Sequence, residues 1–152
     1  MTVLPYLLAA CAGFLIAVLW MDLMFDVQGL GGDGSVPEPA LASIAAYYRR
    51  VTTDAGAMSA LIAGVMITAV AGALLAAVRT PGVGSIAALL AIALPVGLAL
   101  LRIVPNAVRL GQRADAIAVQ EQLARRIARE HLLCLAAVIV FLLLQLTAAS
   151  GR

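Results

Sequence analysis

His131 is the only histidine in the chain, with Glu130 beside it and Arg126 a helical turn earlier. An imidazole titrates near neutrality, so proton transfer is the chemistry it would serve. The bland alternative is a hydrogen-bonded packing residue at a membrane boundary. Asp22 and Asp26 are four residues apart, as are Arg126 and Glu130, and such pairs share a helix face. Arg102, Asn106, Arg109 and Arg113 follow one another at intervals of four, three and four, which makes a single stripe. Tyr47, Tyr48, Arg49, Arg50 and Asp54 complete the polar set. Asp22, Asp26, Tyr48, Arg50, Asp54, Arg102, Arg113, Arg126 and Glu130 therefore form a cluster that either binds a substrate or clasps helices together. An Asp22–Arg102 ion pair is the expected cross-helix contact. A lone histidine excludes bis-histidine haem, and no ligand spacing calls for a metal or another cofactor. No phosphate-binding glycine loop follows a strand, and neither a Gly-x-Ser-x-Gly elbow nor a hydrolase order of Ser, His and Asp occurs.

The elements that must position these residues follow from composition. Of 152 residues, 64% are hydrophobic and 12% charged, against about 45–50% and 25% in soluble globular domains. That leaves too little polar surface to coat a water-soluble globule. The excess apolar surface must face a lipid bilayer. A net charge of +2 is too small for a nucleic-acid partner. Four runs suffice for helical spans of about 20 residues: residues 3–25, 55–78, 83–104 and 131–149. No Lys or Arg precedes Arg49, so the first run is a span and not a signal peptide. With no strand pattern, residues 1–152 read as one all-α integral membrane domain, a four-helix transmembrane bundle whose helices extend beyond the membrane on one side.

A Gly/Pro-rich loop over residues 29–39 joins the first two spans, with helical periodicity resuming at residues 40–54. A tight turn at residues 79–84 joins the next two, and a polar connection turning near residues 112–116 joins the last. All eight acids and eight of ten arginines then fall at one end, Arg79 and Arg152 being the exceptions. The positive-inside rule puts that end in the cytoplasm and both termini outside the cell membrane. Cys11 and Cys134 lie at different depths, too far apart for a disulfide. Gly56, Ala60, Gly64, Thr68, Gly72 and Ala76 form a ridge of small residues suited to close helix packing. Its expected use is inside the bundle, with a second subunit as the alternative. Pro95 should kink the third span. Trp20, Tyr47 and Tyr48 fit an interfacial aromatic belt or the walls of an aromatic-ligand pocket.

The stretch Val104-Pro-Asn-Ala-Val-Arg-Leu110, then Asp115, then Gln122-Leu-Ala-Arg-Arg-Ile-Ala-Arg-Glu-His131, resembles the C-terminal half of the anthrone-oxygenase-like family of small four-helix membrane proteins. Tyr47-Tyr-Arg-Arg50 is also similar, and the likeness covers about half the chain. Ile127 and Cys134 stand where that family carries Trp and Arg. The resemblance implies oxidation of an apolar aromatic, anthrone to quinone, without metal or flavin. Asn106 and His131 would orient or deprotonate the substrate, and Arg109 would stabilise a developing phenolate.

Two readings follow. In the first, the polar end is a site for an apolar aromatic small molecule. In the second, the chain is a non-catalytic accessory or scaffold subunit that meets a membrane-protein partner, or another copy of itself, through the small-residue ridge. A transporter is disfavoured by few spans, no inverted repeat and almost no charge within the apolar runs.

Overall fold

The computed structural model describes residues 3–30 and 35–150, and every element among them is helical. Asp33, Arg152 and the centre of the Gly/Pro loop lie outside the described residues. Helix α1 (Leu4–Asp26) has Pro5 in its opening turn, where the missing N–H has no intrahelical partner to lose. It tightens into a 3₁₀ turn at Val27–Gly29. Helix α2 (Glu38–Arg49) opens with Pro39 and an acidic residue at its positive dipole end. A π-helical turn (Arg50–Asp54) and a break at Ala55 lead into α3 (Gly56–Arg79). After the tight turn, α4 (Val83–Leu98) runs through a second π-helical turn (Ala99–Ile103) into α5 (Val104–Gln112). Arg113 then takes a left-handed conformation (φ 53°) that ends α5, and α6 (Ile117–Ser150) returns to the far side.

Four helical stretches, Leu4–Gly29, Gly56–Arg79, Val83–Gln112 and Ile117–Ser150, are long and apolar enough to cross a membrane. The chain is thus an all-α, multi-pass membrane bundle. Helix α6 has 34 residues, about 51 Å at 1.5 Å per residue, against a hydrocarbon core of about 30 Å. Its excess length projects at the polar end with α2 and α5. Helices α1 and α4 both pack on α6, and α3 closes the ring between α1 and α4.

The interior has two parts with different physics. Leu8, Ala12, Ile92, Val138 and Phe141 pack at the level of the spans, where lipid is as apolar as leucine and only close fit favours association. Leu41, Ile44, Ala107, Leu110 and Ile127 pack α2, α5 and the start of α6 into a polar-end cap. There, hydrophobic burial of each large aliphatic side chain contributes about 1.5–3 kcal/mol. Gly111 is required in this cap: a Cβ would meet the backbone nitrogen of Arg49 at 2.9 Å.

One expectation is corrected. The small-residue ridge is not an internal seam along its length. Gly56, Ala60, Gly64 and Thr68 are exposed, and a Cβ at Gly56 or Gly64 would meet nothing within 4 Å. Only the far end engages, where Gly72 admits Leu8 and Ala69 and Ala73 are buried. Burial follows the adjacent Ala69–Ala73 face, because α3 stands off over its first turns. Pro95 lies inside α4, which continues through it, and the π-helical turn Ala99–Ile103 follows one turn later.

Candidate functional site

The end of α1 places Asp22 and Asp26 against His131 of α6 and the two tyrosines of α2. Asp26 is completely buried (0% exposed) and has two donors. The Tyr48 hydroxyl donates to Oδ1 at 2.5 Å, and Nδ1 of His131 lies 2.6 Å from Oδ2. A carboxylate can only accept, so the imidazole proton is assigned to Nδ1. Nε2 then turns toward Asp22, whose Oδ2 is 3.7 Å away. The Tyr47 hydroxyl donates to Asp22 Oδ1 at 2.5 Å, and its ring stacks on Phe25 with centroids 4.1 Å apart. One imidazole is thus held between two carboxylates, each also bonded to a phenol.

Burial raises the pKa values of both phenols above the ordinary tyrosine range, and the neighbouring Asp22 and Asp26 push them further. Tyr47 and Tyr48 therefore act as hydrogen-bond donors and not as bases. The two carboxylates address opposite ring nitrogens, so they do not converge on one cation. Among the described residues, no group of three His, Cys, Asp or Glu does.

Below this cluster the standing-off of α3 leaves an apolar cavity of about 520 Å³ inside the helix ring. Its walls come from α1 (Leu15, Val18), α3 (Met58, Ile62, Met66) and α4 with its π-helical turn (Ile92, Val96, Ile103), with Cys134 and Val138 from α6. Asp22, Tyr47, Tyr48 and His131 line its polar head, and Asp26 sits behind them, outside the lining. Met21, Met58, Leu100 and Val104 line it and are also exposed, so the mouth opens on the apolar outer surface. The arrangement matches the logic of a general base held by an orienting acid. Asp26 fixes the ring and its tautomer, and His131 lines a largely apolar cavity where a ligand proton could be taken.

The remaining sequence candidates go elsewhere. Arg102 pairs with Glu130 at 2.7 Å, not with Asp22 as expected, because Glu130 lies on the α6 face that meets the π-helical turn. Arg126 also faces Glu130, at 3.6 Å. The arginine stripe is divided among partners: Arg109 is exposed and bonds Asp115 at 2.7 and 2.8 Å, while Arg113 reaches Glu38 of α2. The hydrogen bond from Arg109 holds the Asp115 carboxyl below its usual range. Asn106 is half-buried, and neither it nor Arg109 lines the cavity. Arg50 and Asp54 are exposed on the π-helical turn after α2. Cys11 and Cys134 are buried and unpaired with each other. Trp20 is 63% exposed at the outer surface, whereas Tyr47 and Tyr48 turn inward.

Sequence reasoning did not anticipate Tyr47 and Tyr48 as the phenols that cap the two aspartates. The available signal was a Tyr pair on a short amphipathic helix leading into a span, where a buried hydroxyl needs an acceptor. Fold and site together define a multi-pass membrane protein with a buried Asp–His–Asp cluster above an apolar cavity. No family model, curated protein or solved structure matches the chain.

Proposed function

We propose that the protein binds a lipid-soluble aromatic small molecule with an acidic O–H or C–H, and that Nε2 of His131 takes its proton. The carrying observation is that an imidazole oriented by Asp26 sits with Asp22 at the head of a largely apolar cavity. A volume of about 520 Å³ falls within the usual range for small-molecule sites. Two of its walls carry methionines, Met21 on α1 and Met58 and Met66 on α3, whose thioethers favour contact with aromatic rings. The mouth on the apolar surface lets such a ligand enter from the bilayer.

The resemblance to anthrone oxygenases extends this reading to a reaction. An anthrone loses its acidic carbon-bound proton to the base, dioxygen adds to the carbanion, and loss of water leaves the quinone carbonyl. Such chemistry needs from the protein a base and a dry pocket. The bias of arginine toward the polar end supports a site on the cytoplasmic side of the cell membrane, with both termini outside. The test is oxygen uptake with a hydroxylated anthrone by protein in nanodiscs. Wild type consumes one dioxygen per quinone formed, and His131→Gln and Asp26→Asn lose at least tenfold in rate. Equal rates in all three would overturn the reaction.

A second reading is supported by the exposed ridge Gly56–Ala60–Gly64–Thr68, which suits a close-packed partner helix. As an accessory subunit, the chain would purify in mild detergent as an oligomer or complex that Gly64→Leu disperses. A monomer unaffected by that change would sink this reading.

A further inference from the structure

A second concavity lies on the other side of α6 and is independent of the reading above. Successive residues on a helix point about 100° apart, so Glu130 faces this groove while His131 faces the cavity. The groove has a volume of about 400 Å³ and runs between α6 and the end of α4. Arg102, Arg125, Arg126 and Arg129 line it with Glu130 as the one acid, a formal excess of three positive charges. We propose that it binds the headgroup of an anionic phospholipid, the phosphate on the arginines and a headgroup hydroxyl on Glu130.

Three observations converge. The groove straddles the membrane boundary: its charged wall lies on the projecting part of α6, and Leu98 and Leu133 floor it on the span side. Leu133 is 61% exposed, and Leu94 and Leu101 continue an exposed apolar track beside which acyl chains would lie. Guanidiniums are the donors best matched to phosphate oxygens, through paired N–H groups. Arg129 is exposed and has no ion-pair partner among the described residues, so its donors face outward.

The third observation is Glu130 itself. Its side chain is 7% exposed; Oε1 is ion-paired with the Arg102 guanidinium, but both oxygens are buried without a hydrogen-bond donor, and Oε2 has no ion-pair contact either. A buried acceptor left unmatched is costly. A hydroxyl on the bound headgroup would satisfy it. The same carboxylate positions Arg102 and Arg126 at the groove wall.

The experiment is native mass spectrometry of the full-length protein titrated with phosphatidylglycerol, phosphatidic acid or phosphatidylcholine, alongside thermal unfolding in inorganic phosphate. One phosphatidylglycerol should bind per chain at least tenfold more tightly than phosphatidylcholine. Arg126→Gln and Arg129→Gln should each weaken it by about tenfold, the effect of one charge-assisted hydrogen bond. Both side chains are exposed, so unfolding temperatures without lipid should match wild type. Phosphatidic acid, lacking the glycerol hydroxyl, should bind more weakly than phosphatidylglycerol, and Glu130→Gln should narrow the difference. Equal binding of phosphatidylglycerol and phosphatidylcholine, or indifference to both arginine changes, would overturn the site. Protection by millimolar inorganic phosphate equal to that by lipid would assign the groove to free phosphate instead. Equal binding of phosphatidic acid would remove the role given to Glu130.

Discussion

Asp26→Ala is the most informative single change in the bundle. The carboxylate is completely buried and accepts from Tyr48 at 2.5 Å and from His131 at 2.6 Å. Removing it leaves two buried donors unmatched, at about 1–3 kcal/mol each. Relief of the carboxylate's own desolvation offsets part of that loss. The expected net loss of stability is therefore about 2–4 kcal/mol. Asp26→Asn keeps a carbonyl for the histidine Nδ1–H and an amide that donates to the Tyr48 oxygen, so about 1–2 kcal/mol should suffice. Tyr48→Phe removes one donor and leaves Asp26 bonded to His131, with a similar effect. Because Tyr48 and Asp26 touch, the double change Asp26→Ala/Tyr48→Phe should cost less than the two singles together by about 1–2 kcal/mol. Reversible unfolding in mixed micelles, followed by far-UV circular dichroism, measures all four variants. A loss below about 0.5 kcal/mol for Asp26→Ala, or strict additivity in the cycle, would refute the hydrogen-bonded cluster.

Other outcomes are fixed by the same geometry. The phenols of Tyr47 and Tyr48 are raised by burial above the unfolded value of about 10. Their contribution is therefore complete below pH 10 and is lost as the pH climbs beyond it. In a Tyr6→Phe background, phenolate absorbance should appear only together with loss of helix packing; ionisation of both tyrosines in the folded bundle near pH 10 would contradict their burial. Gly111→Ala should destabilise the cap by about 1–3 kcal/mol through overpacking, since its Cβ would meet Arg49 backbone at 2.9 and 3.0 Å. Gly64→Ala, with nothing within 4 Å of its Cβ, should be neutral or stabilise the monomer by up to about 1 kcal/mol; unfolding titrations in detergent compare the two. Asp115, lowered by its Arg109 bond, contributes above the unfolded carboxylate range and loses that contribution on acidification. Carboxyl chemical shifts should show it titrating below free aspartate, and Arg109→Gln should restore an ordinary midpoint.

The membrane class was legible because apolar content and span length are properties of the whole chain, insensitive to any single contact. That Asp22, Asp26 and His131 meet was partly legible too. Helical spacing put the two aspartates on one face, and the count of spans brought the end of α1 beside the start of the last span. Which guanidinium meets which carboxylate was not. The choice of Glu130 over Asp22 by Arg102 turns on the π-helical turn Ala99–Ile103, which residue spacing assumed to be regular helix. The cavity was hidden for a related reason. A ridge of small residues predicts that helices can approach, but not that α3 leaves Gly56 to Thr68 facing outward and closes only from Ala69.

The central claim is that the cavity holds an acidic aromatic ligand whose proton passes to His131. It is tested most directly by the absorbance spectrum of a hydroxylated anthrone titrated without oxygen into protein in nanodiscs at neutral pH. Wild type should bind one equivalent and shift the ligand to its anion. His131→Gln should bind without the anion spectrum, and Ala63→Trp, filling the cavity from its wall, should not bind. The anion spectrum persisting in His131→Gln, or one-equivalent binding that Ala63→Trp leaves intact, would contradict it.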